Sequence, residues 1–311
     1  MQNLKIFMVL AAIAFVASIF FTGSNTRVHS DKPANLAEAI FVPEAQKPAP
    51  EPPQLIAASA VVFDPLGRSY IFEKQADEPV GIASISKVMT ALIAYERTNN
   101  DDAVVVSRDA IRTEGSNGLI HGEHFRMENL LQMMLMESSN DAASAIAEHI
   151  GRIYGAETYT EAQDVFASLM NEKAKSLGMS TTHFQNATGL DIDAATPSNI
   201  STAHDIVKLA LYSLRYPGIW ETTDSPSGAI ISQEGTMYKM QNINTLANEL
   251  PGFVGGKTGF TDIAGGSLLV IMEIPIGSPK IVLALGSTHA GRFEDVQKLI
   301  NWLEASLSSS L

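Results

Sequence analysis

Strand-like segments at both ends of the folded part of this sequence place the strongest constraint on its fold. "LIAASAVVFDPLGRSYIFEKQ", residues 55–75, contains two strand patterns joined by a turn at Asp64–Gly67. Four more strand patterns follow between residues 234 and 288, and a helical pattern over residues 292–307 ends the chain. Strands from the two ends must pair with each other if they are to form one sheet.

A helix and a long helical region separate the two groups of strands. Apolar residues recur at helical spacing from Ile85 to Ile93, and helical patterns dominate residues 100–235. We therefore predict an α+β fold with one antiparallel sheet flanked by N- and C-terminal helices. The mainly helical region, roughly residues 100–235, is expected to form a second lobe.

Residues 1–24 predict a signal or membrane-anchor segment. The uncharged apolar run from Ile6 to Phe21 has a length between that of a signal-peptide core and that of a full membrane span. Export is expected in either case, and retention as an anchor is favoured over removal. Residues 25–54 include the proline-rich stretch "PEAQKPAPEPPQ", which is typical of a semi-rigid spacer, and the folded domain is expected over residues 55–306.

The composition excludes several classes of function. The formal net charge of −13 argues against a nucleic-acid partner, because nucleic-acid binders normally present a basic face. The chain has no cysteine, which excludes thiol catalysis, thiolate metal sites and disulfides. Its seven histidines show no H-E-x-x-H spacing, so no metal ion and no other cofactor is predicted.

Three short polar clusters carry the candidate chemistry. Ser84 precedes Lys87 by three residues, so both lie on one face of the predicted helix and Nζ can reach Oγ. Ser86, next to Lys87, points about 100° away around the helix. A lysine acts as a base for serine only if its pKa is lowered, and burial and the helix N-terminus both lower it. The other clusters are Ser138–Asn140, between two helical patterns, and Lys257–Gly259, on a predicted strand.

Each cluster also has an ordinary structural explanation. Ser138 and Asn140 are typical helix caps, and Lys257 is equally consistent with a solvent-exposed strand lysine. The glycines around Lys257 favour instead a strand that another chain can approach, so that a peptide adds alongside it. Arg292 is a further candidate for carboxylate recognition, and a salt bridge inside the last helix is the alternative for it.

In this order the clusters resemble the S-x-x-K, S-x-N and K-T-G motifs of the low-molecular-mass penicillin-binding proteins, the serine-type D-alanyl-D-alanine carboxypeptidases. The resemblance runs from Leu55 to the last helix and includes "GEHFRMENLLQMMLMESSNDAA", "THFQNATGLD", "STAHDIVKLA" and "GSTHAGRFEDVQKLINWL". Ser139 stands where the related β-lactamases have aspartate, at a position that varies among the carboxypeptidases. The resemblance implies a β-lactamase/transpeptidase-like fold, with residues 55–306 as a penicillin-binding D,D-peptidase catalytic domain.

The resemblance also implies a role for each motif residue. Ser84 is expected to be the nucleophile, Lys87 its base and Ser138 a proton relay towards the leaving amine. The backbone N–H groups of Ser84 and Phe260 are expected to form the oxyanion hole. Lys257 is expected to lower the pKa of Lys87 and, with Thr258, to bind the terminal carboxylate. Substrate binding as a whole is assigned to Asn140, Lys257, Thr258 and Gly259.

The implied activity is removal of the terminal D-alanine from peptidoglycan stem pentapeptides through an acyl-enzyme, with β-lactam antibiotics as covalent inhibitors. A D,D-endopeptidase that acts on cross-links is a close alternative. A serine β-lactamase is less favoured, because no glutamate between Asn140 and Lys257 has the E-x-x-L-N context that deacylation requires in class A enzymes. A non-catalytic wall-binding protein is least favoured, because all the motif side chains are present.

The implied place of action is the extracytoplasmic face of the bacterial cytoplasmic membrane, or the wall or periplasm if the N-terminal segment is cleaved. Many relatives add a β-rich domain and an amphipathic C-terminal anchor. This sequence ends at "NWLEASLSSSL", so we expect the N-terminal apolar segment to take the place of that anchor.

Overall fold

The computed structural model describes residues 50–309 apart from Thr113, Ser116 and Asn117. The predicted signal or anchor segment, residues 1–24, and most of the predicted spacer, residues 25–54, therefore lie outside the described residues. Within the part that is described, no helix is both long and apolar enough to cross a membrane.

The N-terminal strand hairpin, the mainly helical middle, the later strands and the last helix follow one another in the order that the sequence predicts. The strands are β1 (Ser59–Asp64), β2 (Ser69–Lys74), β3 (Val80–Gly81), β4 (Ala103–Val105), β5 (His124–Arg126), β6 (Ile200–Ser201), β7 (Ser227–Ile231), β8 (Met237–Gln241), β9 (Phe253–Thr261), β10 (Gly265–Glu273) and β11 (Pro279–Ser287). The α-helices are α1 (Lys87–Arg97), α2 (Met127–Met136), α3 (Asn140–Ile153), α4 (Tyr159–Ser176), α5 (Ala203–Ser213), α6 (Gly218–Glu221) and α7 (Gly291–Ser309). Short 3-10 helices are formed by Ala83–Ser86, Ala110–Arg112 and Thr245–Asn248.

The predicted antiparallel sheet has five strands in the order β2-β1-β11-β10-β9. The two ends of the chain meet in its middle, where Ser59 of β1 lies opposite Leu285 of β11. β9 carries Lys257–Gly259 and is an edge strand, so it has no neighbouring strand on one side within the described sheet. An edge strand offers backbone N–H and C=O groups with which an added peptide can pair.

Side-chain alternation along the strands divides the core into two layers. On β10, Leu268 and Val270 face α7, whereas Leu269 and Ile271 face the helices between β2 and β7. Because both faces of the inner strands are covered, these strands appear in the sequence as continuous apolar runs rather than as polar–apolar alternation.

The region of residues 100–235, which we call the helical lobe, contains α2 to α6. Its helix α5 begins after Thr202, whose hydroxyl caps the helix by accepting a hydrogen bond of 3.1 Å from the Asp205 backbone N–H. The lobe also contains strands that the sequence does not predict, namely β4 and β5, which pair with each other, β6, which pairs with β3, and β7, which pairs with β8. β4 and β7 each bury one residue, Val104 and Ile230, so neither shows a period-two pattern long enough to recognise.

Candidate active site

Ser84 lies in the 3-10 helix Ala83–Ser86 directly before α1, and not inside the α-helix as the apolar pattern predicts. The spacing of three still brings its side chain in line with Lys87, because residues i and i+3 eclipse in a 3-10 helix. Ala83 has a φ of 45°, a left-handed conformation that strains the backbone next to Ser84. Ser86 points away, since its hydroxyl donates to the Ala83 carbonyl over 2.7 Å.

Lys87 is the first residue of α1, and its side chain is fully buried. Its Nζ donates to Ser84 Oγ at 2.9 Å, to Asn140 Oδ1 at 2.7 Å and to the Thr188 carbonyl at 2.5 Å. Burial lowers the pKa of Lys87 from 10.5 to about 7, because the ammonium loses its hydration. A large neutral fraction therefore exists near pH 7, which is the protonation state that a general base requires.

In the second cluster, Ser138–Asn140, the residue that caps α3 is not one of the two that the capping alternative proposes. Ser139 is the cap of α3, since its hydroxyl accepts a hydrogen bond of 3.1 Å from the Ala142 N–H. Ser138 and Asn140 are therefore not needed as caps. Ser138 has a φ of 63°, uncommon for a residue with a side chain. Asn140 turns Oδ1 towards Lys87 and donates from Nδ2 to a backbone carbonyl at 2.7 Å.

Lys257 on β9 faces the helical lobe, because it lies opposite Leu269, whose side chain packs into that layer. Its Nζ donates to Ser138 Oγ at 2.8 Å, which joins the third motif to the second. Burial lowers the pKa of Lys257 well below its ordinary value, and the charges of Lys87 and Arg292 lower it further. Lys257 is 1% exposed, so the alternative of a solvent-exposed strand lysine is wrong.

Gly259 lies against the backbone of Ser84. A methyl group at position 259 would be 3.1 Å from the Ser84 amide nitrogen and 3.0 Å from the Ile82 carbonyl oxygen, both tighter than ordinary packing. The residue that follows on the edge strand is Phe260, whose side chain is 40% exposed. The Ser84 amide therefore lies against β9 at Gly259. The amide of Phe260, the second predicted oxyanion donor, belongs to the residue directly after Gly259.

Thr258 and Phe260 point to the opposite face of the sheet from Lys257, because side chains alternate along β9. On that face, Arg292 near the start of α7 donates to the Gly259 carbonyl at 3.4 Å and lies 6.0 Å from the centre of the Phe260 ring. The Arg292 side chain is 5% exposed and its Nε has no hydrogen-bond partner among the described residues. No ion pair to a described residue accounts for it either, so the predicted alternative of a salt bridge is not found.

A cavity of about 660 Å³ opens beside Asn140 and Phe260, in the size range of ligand pockets. Its remaining walls come from residues 114–115, 190–194 and 261–263. These segments belong to three distant parts of the chain, and Asn140 is the motif residue among those that line the cavity. The cavity has room for a peptide next to Asn140 and to Phe260, which directly follows the third motif.

Thr188 and Gly189 belong to the site, and the sequence does not predict them. Gly189 has a φ of 81°, and a methyl group on it would lie 2.0 Å from the Ala83 carbonyl oxygen. The contribution of Thr188 is its main-chain carbonyl, which accepts from Lys87. A carbonyl leaves no mark in a sequence, so the glycine that permits the close approach is the one signal available.

Known proteins resemble this chain in sequence and in fold. Residues 46–274 match the D-alanyl-D-alanine carboxypeptidase family of peptidases. The D-alanyl-D-alanine endopeptidase of Escherichia coli is 32% identical over 264 residues, which cover 81% of this chain and 78% of the relative. A D-alanyl-D-alanine carboxypeptidase of Mycobacterium tuberculosis is 30% identical over 229 residues, 73% of each chain. A penicillin-binding protein of Listeria monocytogenes, solved in its ampicillin-bound form, has a TM-score of 0.68 and 30% identity, and the match covers 81% of this chain and 99% of that one. The predicted fold class is confirmed.

Proposed function

The chain belongs to the D-alanyl-D-alanine carboxypeptidase family, and we propose that it removes the terminal D-alanine from peptidoglycan stem pentapeptides through an acyl-enzyme on Ser84. One observation carries this proposal. A fully buried amine with a pKa of about 7, that of Lys87, lies 2.9 Å from the hydroxyl of Ser84. A serine hydroxyl is a weak nucleophile until an adjacent base removes its proton, and this pair supplies that base.

Acylation begins when Ser84 Oγ attacks the carbonyl carbon of the penultimate D-alanine and its proton passes to Lys87 Nζ. The carbonyl oxygen gains negative charge, which the amides of Ser84 and Phe260 stabilise. The bond between that carbon and the leaving nitrogen then breaks. The proton that Lys87 accepted is relayed by Ser138 Oγ, which Lys257 contacts at 2.8 Å, to the leaving nitrogen, so that Lys87 is neutral again and free D-alanine departs.

The peptide substrate pairs with the free edge of β9, and its terminal carboxylate lies among the cations at that edge. Lys257 binds this carboxylate from the face of β9 towards the helical lobe, and Thr258 and Arg292 bind it from the opposite face, around the free edge of the strand. The support for Arg292 is a buried guanidinium with an unpartnered Nε beside the Gly259 carbonyl, since a buried charge ordinarily has a partner. Asn140 contacts the substrate backbone from the other side of the cleft.

Water then attacks the ester carbon, Ser84 Oγ regains a proton and the shortened peptide leaves. A β-lactam mimics the scissile amide and acylates the same oxygen, but its ring-opened product stays attached. Slow release of this adduct separates the proposal from the β-lactamase alternative, for which release within seconds is expected.

Ser84→Ala is expected to abolish both penicillin labelling and release of D-alanine from a D-alanyl-D-alanine peptide, because no other described hydroxyl occupies the place beside Lys87. Intact-protein mass spectrometry after incubation with a penicillin is expected to show one adduct, located on Ser84 by peptide mapping. Ser86→Ala is the matched control, since its hydroxyl donates to the Ala83 carbonyl and not to Lys87, and it is expected to form the same adduct on Ser84, although more slowly because it loses the hydrogen bond from Asn199. Labelling that survives in folded Ser84→Ala would refute the proposal.

The endopeptidase alternative remains a second candidate, because the Escherichia coli relative that is 32% identical carries that name. The same nucleophile serves both reactions, so the Ser84→Ala variant does not distinguish them. Parallel assays of wild-type protein with a stem pentapeptide and with a cross-linked peptide dimer do. The proposal expects higher kcat/KM on the pentapeptide, and the reverse order would establish the endopeptidase.

We further propose that the protein acts outside the cytoplasm and that residues 1–24 tether it to the membrane, with residues 25–54 as the spacer. The support is the uncharged run from Ile6 to Phe21 and the prolines that follow it. Replacing residues 1–24 with a cleavable signal peptide is expected to move the exported protein from the membrane fraction to the soluble fraction. Membrane retention of that variant would contradict the proposal.

A further inference from the structure

We propose that Asn186 is a positioning residue for this reaction: it holds the Thr188 carbonyl against Lys87 Nζ, and thereby directs the lone pair of the neutral amine at Ser84. The inference rests on the proposed function, in which Lys87 is the base. It adds a residue that contacts neither the nucleophile nor the substrate peptide in the mechanism given above.

The first step concerns the hydrogen-bond chemistry around Nζ. The Thr188 carbonyl oxygen, at 2.5 Å, can accept and cannot donate. Asn140 Oδ1, at 2.7 Å, is likewise an acceptor, and its orientation is unambiguous because Asn140 Nδ2 must donate to the Glu114 carbonyl at 2.7 Å. A neutral amine has two N–H groups and one lone pair, so these two acceptors use both N–H groups. The lone pair is left for the third direction, where Ser84 Oγ lies at 2.9 Å.

The Thr188 carbonyl has a second function in the same geometry. It also lies 3.4 Å from Ser84 Oγ, so the hydroxyl has an alternative acceptor when Lys87 is charged. When the amine is neutral, the hydroxyl proton turns to the lone pair. Both states of the site therefore depend on where this one carbonyl is held.

The second step concerns what holds that carbonyl. Asn186 Oδ1 accepts from the Thr188 N–H at 3.1 Å, from Thr188 Oγ1 at 3.0 Å and from the Gly189 N–H at 2.7 Å. Its Nδ2 donates to the Leu190 carbonyl at 2.9 Å. One side chain therefore satisfies four groups of the turn that presents the carbonyl, on both sides of it.

The third step connects this turn to the helix that carries the base. Asn199 Nδ2 donates to Ser86 Oγ at 2.8 Å and to the Asn186 carbonyl at 2.9 Å. Thr90 Oγ1 on α1 donates to the Ala187 carbonyl at 2.7 Å. Lys87 lies between Ser86 and Thr90, so the turn and the base are fixed to each other directly and not through the rest of the fold.

Two cations lie on one side of Lys87, and the acidic side chains of Glu114, Asp191, Asp193 and Asp262 line the cavity together with Asn140. Lys257 faces it from β9, and Arg292 on α7 lies next to Lys257. None of the carboxylates that the structure describes forms an ion pair with Lys87, and its other contacts are the neutral groups of Ser84, Asn140 and Thr188. The hydrogen-bond acceptors are therefore what stabilise the ammonium, so removing one of them must favour the neutral amine.

Asn186→Ala tests the proposal through the pH dependence of acylation by a penicillin, measured from pH 5 to 9. The rate at the upper plateau is expected to fall at least tenfold, because the lone pair is no longer directed at Ser84. The midpoint of the acidic limb is expected to move to lower pH, because the ammonium loses an acceptor. A merely structural role would lower the folded fraction and leave the midpoint where it is.

Asn171→Ala is the matched control. Asn171 anchors the start of the same segment from α4, donating to the Phe184 carbonyl at 2.7 Å and accepting from the Phe184 N–H at 2.9 Å. It is expected to lower the melting temperature and to leave both the plateau rate and the midpoint of the acidic limb unchanged. A wild-type plateau rate in folded Asn186→Ala, or a midpoint that stays or rises, would overturn the proposal.

If Asn186→Ala does not fold, the same pH profile of acylation is measured on Thr188→Val. It removes the hydroxyl that bonds Asn186 and accepts from the Leu190 N–H at 3.1 Å, and it keeps the backbone carbonyl. A fall of about threefold with the same direction of midpoint shift is expected, and an unchanged profile would refute the proposal. Failure of the proposed function is a different result, because wild-type protein would then form no adduct on Ser84 at all.

Discussion

Lys87→Met is expected to lower the rate of acylation by a penicillin about 10³-fold while the protein stays folded. Proton transfer by a positioned base typically contributes about 10²–10⁴-fold, and methionine fills the same space with an unbranched chain that cannot accept a proton. In wild-type protein the rate is expected to rise about tenfold per pH unit below about 7 and to level off above it, because only the neutral amine is active. Rapid-mixing kinetics of acylation from pH 5 to 9 measure both effects.

Lys87→Met is also expected to change how the free energy of unfolding depends on pH, in a direction that follows from the lowered pKa of Lys87. Between about pH 7 and 10.5 Lys87 is charged in the unfolded chain and neutral in the fold, so the unfolded state binds one more proton at this group and the contribution of Lys87 to stability rises with pH. Methionine removes this dependence. The free energy of unfolding of Lys87→Met relative to wild type is therefore expected to decrease as the pH rises from 6 to 9.

Lys208→Met is the control for both measurements. Lys208 is a half-exposed lysine on α5 whose Nζ contacts Asp205, away from the site. It is expected to acylate like wild type and to follow the same pH dependence of stability. Acylation of Lys87→Met within tenfold of the wild-type rate would show that another group is the base.

Two lysines in one buried site must be in different charge states for the proposed reaction to work. Lys257 needs its proton to bind a carboxylate, and Lys87 must have lost its own to act as a base. Repulsion between them favours a state in which one is charged, and their titrations are coupled. A bound substrate carboxylate resolves the choice, because it stabilises the ammonium of Lys257 and leaves Lys87 neutral.

The sequence predicts the parts of this site that have a side-chain pattern. The spacing of Ser84 and Lys87, the cluster at Ser138 and the glycine-flanked Lys257 all point to chemistry, and the structure brings them together within hydrogen-bond distances. The sheet is likewise predictable, because its inner strands form uninterrupted apolar runs. The placement of Ser84 in a 3-10 helix is not predictable from the sequence, since one short turn of either helix type gives the same spacing of apolar residues.

The sequence does not predict two kinds of feature in this site. The first kind acts through the backbone, and the second depends on which of several similar neighbouring residues has a given role. Thr188 acts through its carbonyl, and Asn186 acts on that carbonyl from within a turn of ordinary polar composition. Three neighbouring polar residues at the start of α3 are all good caps, and only the backbone geometry assigns the cap to Ser139 and leaves Ser138 for Lys257. Propensity alone cannot rank such neighbours.

Gly259→Ala is expected to reduce acylation about 10²–10³-fold without preventing binding of the substrate carboxylate. The added methyl would lie 3.1 Å from the Ser84 amide nitrogen, in the space where the charged oxygen of the transition state must lie. Losing one oxyanion donor typically costs about 3–4 kcal/mol of transition-state stabilisation, so kcat/KM falls mainly through kcat. Kinetics with a D-alanyl-D-alanine peptide measure this split.

Gly256→Ala separates the loss of the oxyanion hole from simple crowding of the strand. Its methyl would be even tighter, 2.8 Å from Asn244 Nδ2 and 2.9 Å from the carbonyl oxygen of Leu269 on β10, but neither contact is with Ser84. Both variants are expected to melt at lower temperature than wild type. Only Gly259→Ala is expected to lose turnover per folded molecule, because only there does the methyl compete with the developing charge for the Ser84 amide. Equal loss of turnover in the two variants would show that strand distortion, and not the blocked amide, is responsible.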